Sequence, residues 1–271
     1  MSKRHFIIGL LLAGAAVSAQ EREGVGLYLF SIPSQTSAML SGTGADAPFA
    51  ELHVADPQAM AEHFAATVVE VVSHNDSVVT VAANTAGTVL GAPLPQHSKP
   101  SFVVDYDEES VGRVYQDLVT RHGERPSIEA MTRYVFDVIP DKTYARDFDL
   151  ASRVASEGEG DCTEHAVLLT ALSRATGRPS RVVMGLQLVQ EEDQFFTYGH
   201  AWSEIYEEGR WQLADATLPQ LGMPEAVVRY LPLFALDNEG PGYAWDLATM
   251  LRIYPSRVHL VRGGELHRNP E

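Results

Sequence analysis

The sequence predicts an α+β fold, on three observations. Residues 108–176 carry four segments with apolar side chains at helical spacing. Residues 181–214 carry strand-like runs that end in a hairpin. Residues 24–100 mix short β-like runs with loops and one short helical segment.

The start of the chain reads as a secretory signal. Lys3 and Arg4 form a basic start, Phe6 to Val17 is an apolar stretch, and Val17-Ser18-Ala19 offers small residues for cleavage before Gln20. The stretch is shorter than the ~20 residues that span a bilayer. Residues 1–19 are therefore read as a signal peptide, and the mature protein is expected in the periplasm or outside the cell. No later segment reads as a membrane span. Loss of Lys3 and Arg4 takes the formal charge from −16 to −18. So acidic a surface argues against nucleic acid or anionic lipid as the main partner.

Residues 20–100 form an N-terminal region whose role the sequence does not assign. Leu27–Phe30, Thr67–Val72 and Ser77–Ala82 read as β-like, the last two as a hairpin closed by Ser73-His74-Asn75-Asp76. Pro57–Phe64 reads as a short helix, and residues 93–100, with three prolines, as a linker. His53, His63, His74 and His97 lack ligand spacing and are expected on the surface.

Helices follow at Glu108–His122 (Val111, Val114, Tyr115 and Leu118 on one face), Ser127–Val138 (ended by Pro140) and Asp147–Ser156. The strongest helix signal is Thr163–Thr176, with Gly177 as its stop and Pro179 beyond. Arg181–Val189 reads as a buried strand. His200–Tyr206 and Arg210–Ala214 read as a hairpin turning at Glu207-Glu208-Gly209. His200 and Asp215 are 15 residues apart, and their midpoint falls in that turn. Paired antiparallel strands then bring them together, provided both side chains lie on the same sheet face.

The single cysteine, Cys162, stands at or just before the head of the helix that follows Gly158-Glu159-Gly160. A lone thiol in an exported protein forms no internal disulfide, so it is a packing residue, an intermolecular link or a nucleophile. An ordinary thiol, pKa ~8.5, is protonated at neutral pH. A helix N-terminus favours the thiolate, a histidine in reach accepts its proton, and an acid orients the imidazole. Cys162, His200 and Asp215 supply these three roles. The polar flanks Asp161, Thr163, Glu164 and His165 are unlike a core. Glu164 reads as a solvated first-turn acid, and Trp202 and Trp211 as packing residues beside the site. Zinc held by Cys162, His165 and His200 is an alternative with weak support, so no metal or cofactor is assigned.

The segments Gly160-Asp161-Cys162-Thr163-Glu164-His165-Ala166, Arg174 to Val183, Gly199 to Tyr206 and Trp211 to Thr217 together resemble the transglutaminase-like superfamily, specifically its bacterial branch. This group of cysteine acyl-transfer and hydrolase enzymes is related in architecture to papain-like proteases. The resemblance implies a domain over residues 101–271 with core motifs at 160–217. It implies a Cys162-bearing helix packed on an antiparallel sheet that carries His200 and Asp215. It also implies attack by the thiol on amide bonds of peptides or proteins, with transfer to an amine or water. A non-catalytic module that keeps the fold is the alternative. Arg178 before the proline and Ala216 after the acid depart from the pattern, and the resemblance does not extend to residues 24–100.

Overall fold

The computed structural model describes residues 31–83, 88–141, 148–217, 226–236 and 239–263. The expected signal peptide and the Leu27–Phe30 run lie outside them. Among the described residues, no helix is long and apolar enough to cross a membrane. The elements are β1 (Ser31–Ile32), β2 (Ser34–Thr36), β3 (Pro48–His53), α1 (Pro57–Phe64), β4 (Val71–His74), β5 (Val78–Ala82), α2 (Glu109–His122), α3 (Ile128–Val138), α4 (Ala151–Glu157), α5 (Cys162–Ala175), β6 (Ser180–Glu191), β7 (Gln194–Glu207), β8 (Arg210–Ala214), β9 (Ala226–Ala235), α6 (Tyr243–Met250) and β10 (Arg257–Arg262). The α+β reading stands.

Two helices start where a polar side chain meets loose N–H groups. Asp56 accepts from Ala59 N ahead of α1, and Ser127 from Ala130 N ahead of α3. α4 ends at Gly158, whose positive φ of 65° suits the left-handed stop.

The first sheet runs β1-β7-β6-β9, with β8 also paired to β7. β6 and β7 pair antiparallel throughout, Gly185 facing His200 and Met184 facing Ala201. On the far edge of β7, pairing with β1 covers Thr197 and Tyr198, and pairing with β8 begins at Ser203. The alternation of β6 explains what packs on it. Val182 and Met184 lie under the helices, in one core with Leu168, Leu169 and Leu172 of α5 and Met131 and Val135 of α3. Leu186 and Leu188, further along the same face, enter a second core with Leu52, Phe64, Val79, Val81 and Leu260. Each such fully buried chain contributes on the order of 2–5 kcal/mol against truncation to alanine.

That second core rests on the other sheet, ordered β2-β10-β3-β5-β4. β10 pairs parallel with β2 and antiparallel with β3, so strands from either side of residue 100 share one sheet. The expected hairpin forms between β4 and β5, Asn75 Oδ1 accepting from Ser77 N and Val78 N.

Residues 93–100 are not a free linker. Pro95–Ser98 is a 3₁₀ turn, and His97, expected on the surface, is buried edge-on against Trp211. Just before it, Val89 N donates to Glu204, Arg181 donates to Val89 O, and Trp211 Nε1 donates to Gly91 O. The buried Arg181–Glu204 pair thus spends its spare hydrogen-bonding capacity on this segment's backbone, as a buried charge pair must.

Candidate active site

α5 begins at Cys162, with Asp161 as its cap. Asp161 Oδ1 accepts from the N–H and the hydroxyl of Thr163, and Glu164 Oε2 turns back to accept from Asp161 N. This return needs Gly160, because a Cβ there would lie 2.3 Å from the Cβ of Glu164. Glu164 is therefore not the solvated acid expected from its first-turn position. It is 1 % exposed and also accepts from Asp149 N and the Thr163 hydroxyl. His165 Nδ1 meets Asp161 O one turn back, at 2.6 Å.

The helix packs on β7 through the Ser203 hydroxyl, which donates to Ala166 O and meets the Thr170 hydroxyl. Cys162 packs against the helical core and is partly exposed. Its sulfur is met by the backbone N–H of Ala201. That contact falls in the interval of β7 between its pairing with β1 and with β8.

His200 precedes Ala201, so its ring stands on the opposite face of β7. On that face His200 Nε2 lies 2.7 Å from Asp215 Oδ2. The register meets the condition set by the sequence. Ala214 pairs with Ser203, so Asp215 falls on the His200 face just past the end of β8. Trp202 is fully buried there, its ring 6.3 Å from that of His200. Gly185, opposite His200, makes room for it. A Cβ at Gly185 would lie 2.7 Å from the indole and 2.2 Å from Leu231 O.

Two polar residues here gave no signal in the sequence. Tyr230 of β9 donates its hydroxyl to Asp215 Oδ2 at 2.7 Å, and Gln187 of β6 donates to the Tyr230 oxygen at 3.3 Å. They are neighbours because residue 187 pairs with residue 230. A hydroxyl-bearing residue at β-strand spacing reads as an ordinary strand residue, so the sequence offers nothing to find them by. Thr217 donates both its N–H and its hydroxyl to Asp215 Oδ1.

The acids and the thiol sit in different fields. Burial by itself pushes the Asp215 carboxyl up. The His200 charge and hydrogen bonds from His200, Thr217 and Tyr230 outweigh it and hold the group at about 2. Asp161 goes the other way: burial, then the neighbouring Glu164 charge, push it up to about 8. Burial and then the Asp161 charge push the Cys162 thiol above its ordinary range, and the Ala201 N–H only partly offsets them. The expectation that the helix head favours the thiolate is thus reversed. The cap that starts the helix is itself an acid, with a second acid folded onto it. The Tyr254 hydroxyl is buried with no hydrogen-bond partner among the described residues; burial and then the Cys162 charge raise its pKa. Among the described residues, no group of three His, Cys, Asp or Glu side chains is arranged to hold a metal. Cys162, His165 and His200 do not form one.

Residues 117–216 match the family described as the transglutaminase-like superfamily. No curated protein matches the chain. Among solved structures, it is similar to a candidate cysteine protease from Cytophaga hutchinsonii, at 14% identity and a TM-score of 0.36, over 71% of this chain and 86% of that one. It is also similar to the periplasmic domain of TgpA from Pseudomonas aeruginosa bound to ethylmercury, at 19% identity and a TM-score of 0.36, over 52% of this chain and 56% of that one. A second structure of that domain aligns at 17% identity and a TM-score of 0.36, over 55% of each chain. This chain thus spans little more than half the length of the TgpA chains.

Proposed function

We propose that this chain, a member of the transglutaminase-like superfamily by its residues 117–216, is an exported cysteine-dependent enzyme acting on amide bonds of peptides or proteins. One observation carries the reading. The backbone of residue 201 touches the Cys162 sulfur, while the adjacent His200 is fixed by Asp215.

Because the thiol rests above its ordinary range, the resting protein holds Cys162 as the neutral thiol. His200 acts as a general base during attack. The sulfur adds to the amide carbonyl carbon while the thiol proton passes to the imidazole. Asp215, ionised, steadies the imidazolium, and the N–H at the head of α5 receives the negative charge on the carbonyl oxygen. The C–N bond then breaks. The imidazolium proton leaves with the amine or ammonia, and a thioester remains on Cys162. Water or an acceptor amine adds to the thioester carbonyl carbon and gives its proton to His200; the C–S bond breaks, the acid or new amide leaves, and the imidazolium returns the proton to the Cys162 sulfur. Hydrolysis is favoured, since the export signal expected at residues 1–19 sends the protein where water is abundant.

The test is release of ammonia and of new amino termini from a mixture of unfolded proteins. Wild type releases one or both. Cys162→Ala and His200→Ala release neither while keeping the native circular dichroism. Release that persists in Cys162→Ala overturns the proposal. A non-catalytic domain is the second reading, and the raised thiol is the observation that favours it. Its mark is alkylation of Cys162 by iodoacetamide at the same rate in wild type and in His200→Ala.

A further inference from the structure

We propose that Tyr230 is a positioning residue that holds the Asp215 carboxylate in register with His200. The inference rests on the reading of His200 and Asp215 as working residues.

A carboxylate offers about four lone-pair sites, two on each oxygen. Asp215 is 6 % exposed, with no lysine or arginine bonded to it among the described residues, so its charge is held by the His200 imidazole and by hydrogen bonds. Oδ1 is filled by the N–H and the hydroxyl of Thr217. Oδ2 takes His200 Nε2 on one site and the Tyr230 hydroxyl, also at 2.7 Å, on the other. Tyr230 thereby completes the set. Without it, the oxygen facing the imidazole keeps a vacant site in a buried place, and the carboxylate is free to turn about its own bond.

The direction of the Tyr230 proton is fixed as well. Gln187 donates its amide to the phenol oxygen at 3.3 Å, occupying an acceptor site and leaving the O–H to point at Asp215. The direct Gln187 to Asp215 distance, 3.5 Å, is at the limit of a hydrogen bond, so Gln187 acts mainly through the tyrosine. The Tyr230 ring also bounds the imidazole, with centroids 6.1 Å apart, and it meets Trp202 edge-on at 5.2 Å. A phenylalanine keeps both ring contacts and removes only the donor.

The experiment is proton NMR of the His200 Nε2–H that bonds Asp215, identified by its loss in His200→Ala. In wild type this proton is shielded from exchange and lies far downfield. In Tyr230→Phe, folded by circular dichroism, its resonance moves and its exchange with water quickens by about tenfold to a hundredfold, the range expected when one hydrogen bond to a charge is lost. A folded Tyr230→Phe with position and exchange unchanged overturns the proposal. If Tyr230→Phe does not fold, Gln187→Leu gives the same displacement on a smaller scale, and an unmoved resonance there overturns it too. The readout needs no substrate. A shifted proton together with amide cleavage surviving in Cys162→Ala would leave the positioning role standing and remove the proposed function alone.

Discussion

Two acids flank the candidate site and end in opposite states, the buried Asp215 and the half-buried Asp161. Asp215 is held at about 2, and Asp161 is pushed up to about 8. Burial raises both, and the more buried of the two is the one held low, so burial does not explain the difference. Their neighbours do. Asp215 faces an imidazole and a phenol, with donors on both oxygens. Asp161 has the donors of Thr163 on one oxygen only, and the charge of Glu164 beside it. The first stays charged beside the imidazole. The second is charged only when the pH is high, and then it opposes the thiolate next to it.

The comparison breaks most sharply at Asp215. Asp215→Asn is expected to lower kcat by roughly 10³–10⁴-fold with the fold kept, since the amide turns the imidazole into the wrong tautomer. A loss of less than about tenfold in steady-state assays means that the acid does not work through His200.

Asp161→Asn gives a smaller effect of opposite sign. Asparagine caps a helix as well as aspartate, so α5 persists and only the charge goes. Alkylation of Cys162 by iodoacetamide should quicken about tenfold above pH 8, where wild-type Asp161 is ionised, and change little well below it. A uniform gain at every pH points to loosened packing instead.

The two acids also predict the pH limits of stability. Asp215 falls from 3.8 on folding, so its contribution is present above about pH 4 and is lost as pH falls towards 2. Asp161 rises from 3.8, so its contribution is complete below about pH 4 and is lost as pH rises through about 8. Thermal unfolding across pH should show Asp215→Asn flattening the acid side and Asp161→Asn the alkaline side. Exchanged assignments would refute the contrast.

The smallest effect concerns a buried hydroxyl with no hydrogen-bond partner among the described residues. Tyr254→Phe removes a buried hydroxyl that bonds to nothing among the described residues. It should stabilise by about 1 kcal/mol, roughly 2–4 °C in Tm by calorimetry. A lower Tm means that the hydroxyl has a partner in solution.

Much of the site was legible because it is local. The glycine, the polar cap and the apolar run marked α5 to within a residue, and the turn at 207–209 set His200 against Asp215 by counting alone. Long-range partners were not legible. β7 begins at Gln194, six residues before the expected start, because Phe195 to Tyr198 find partners in β6 that no local pattern announces. Tyr230 reaches Asp215 only because β9 lies beside β6. The direction of the thiol was missed for a different reason. A helix head counted by itself is positive, and only coordinates reveal that Glu164 folds back onto Asp161 instead of facing water.

The place of β10 bears on how the protein is made. β2 and β3 emerge from the ribosome more than 200 residues before the strand that lies between them. Until residues 257–262 are synthesised, two strand edges stay open to any passing β-segment, and the nascent chain depends on whatever holds it apart from its neighbours. This sheet therefore closes only after residues 257–262 have been made, and any polypeptide stopped short of β10 should accumulate as aggregate.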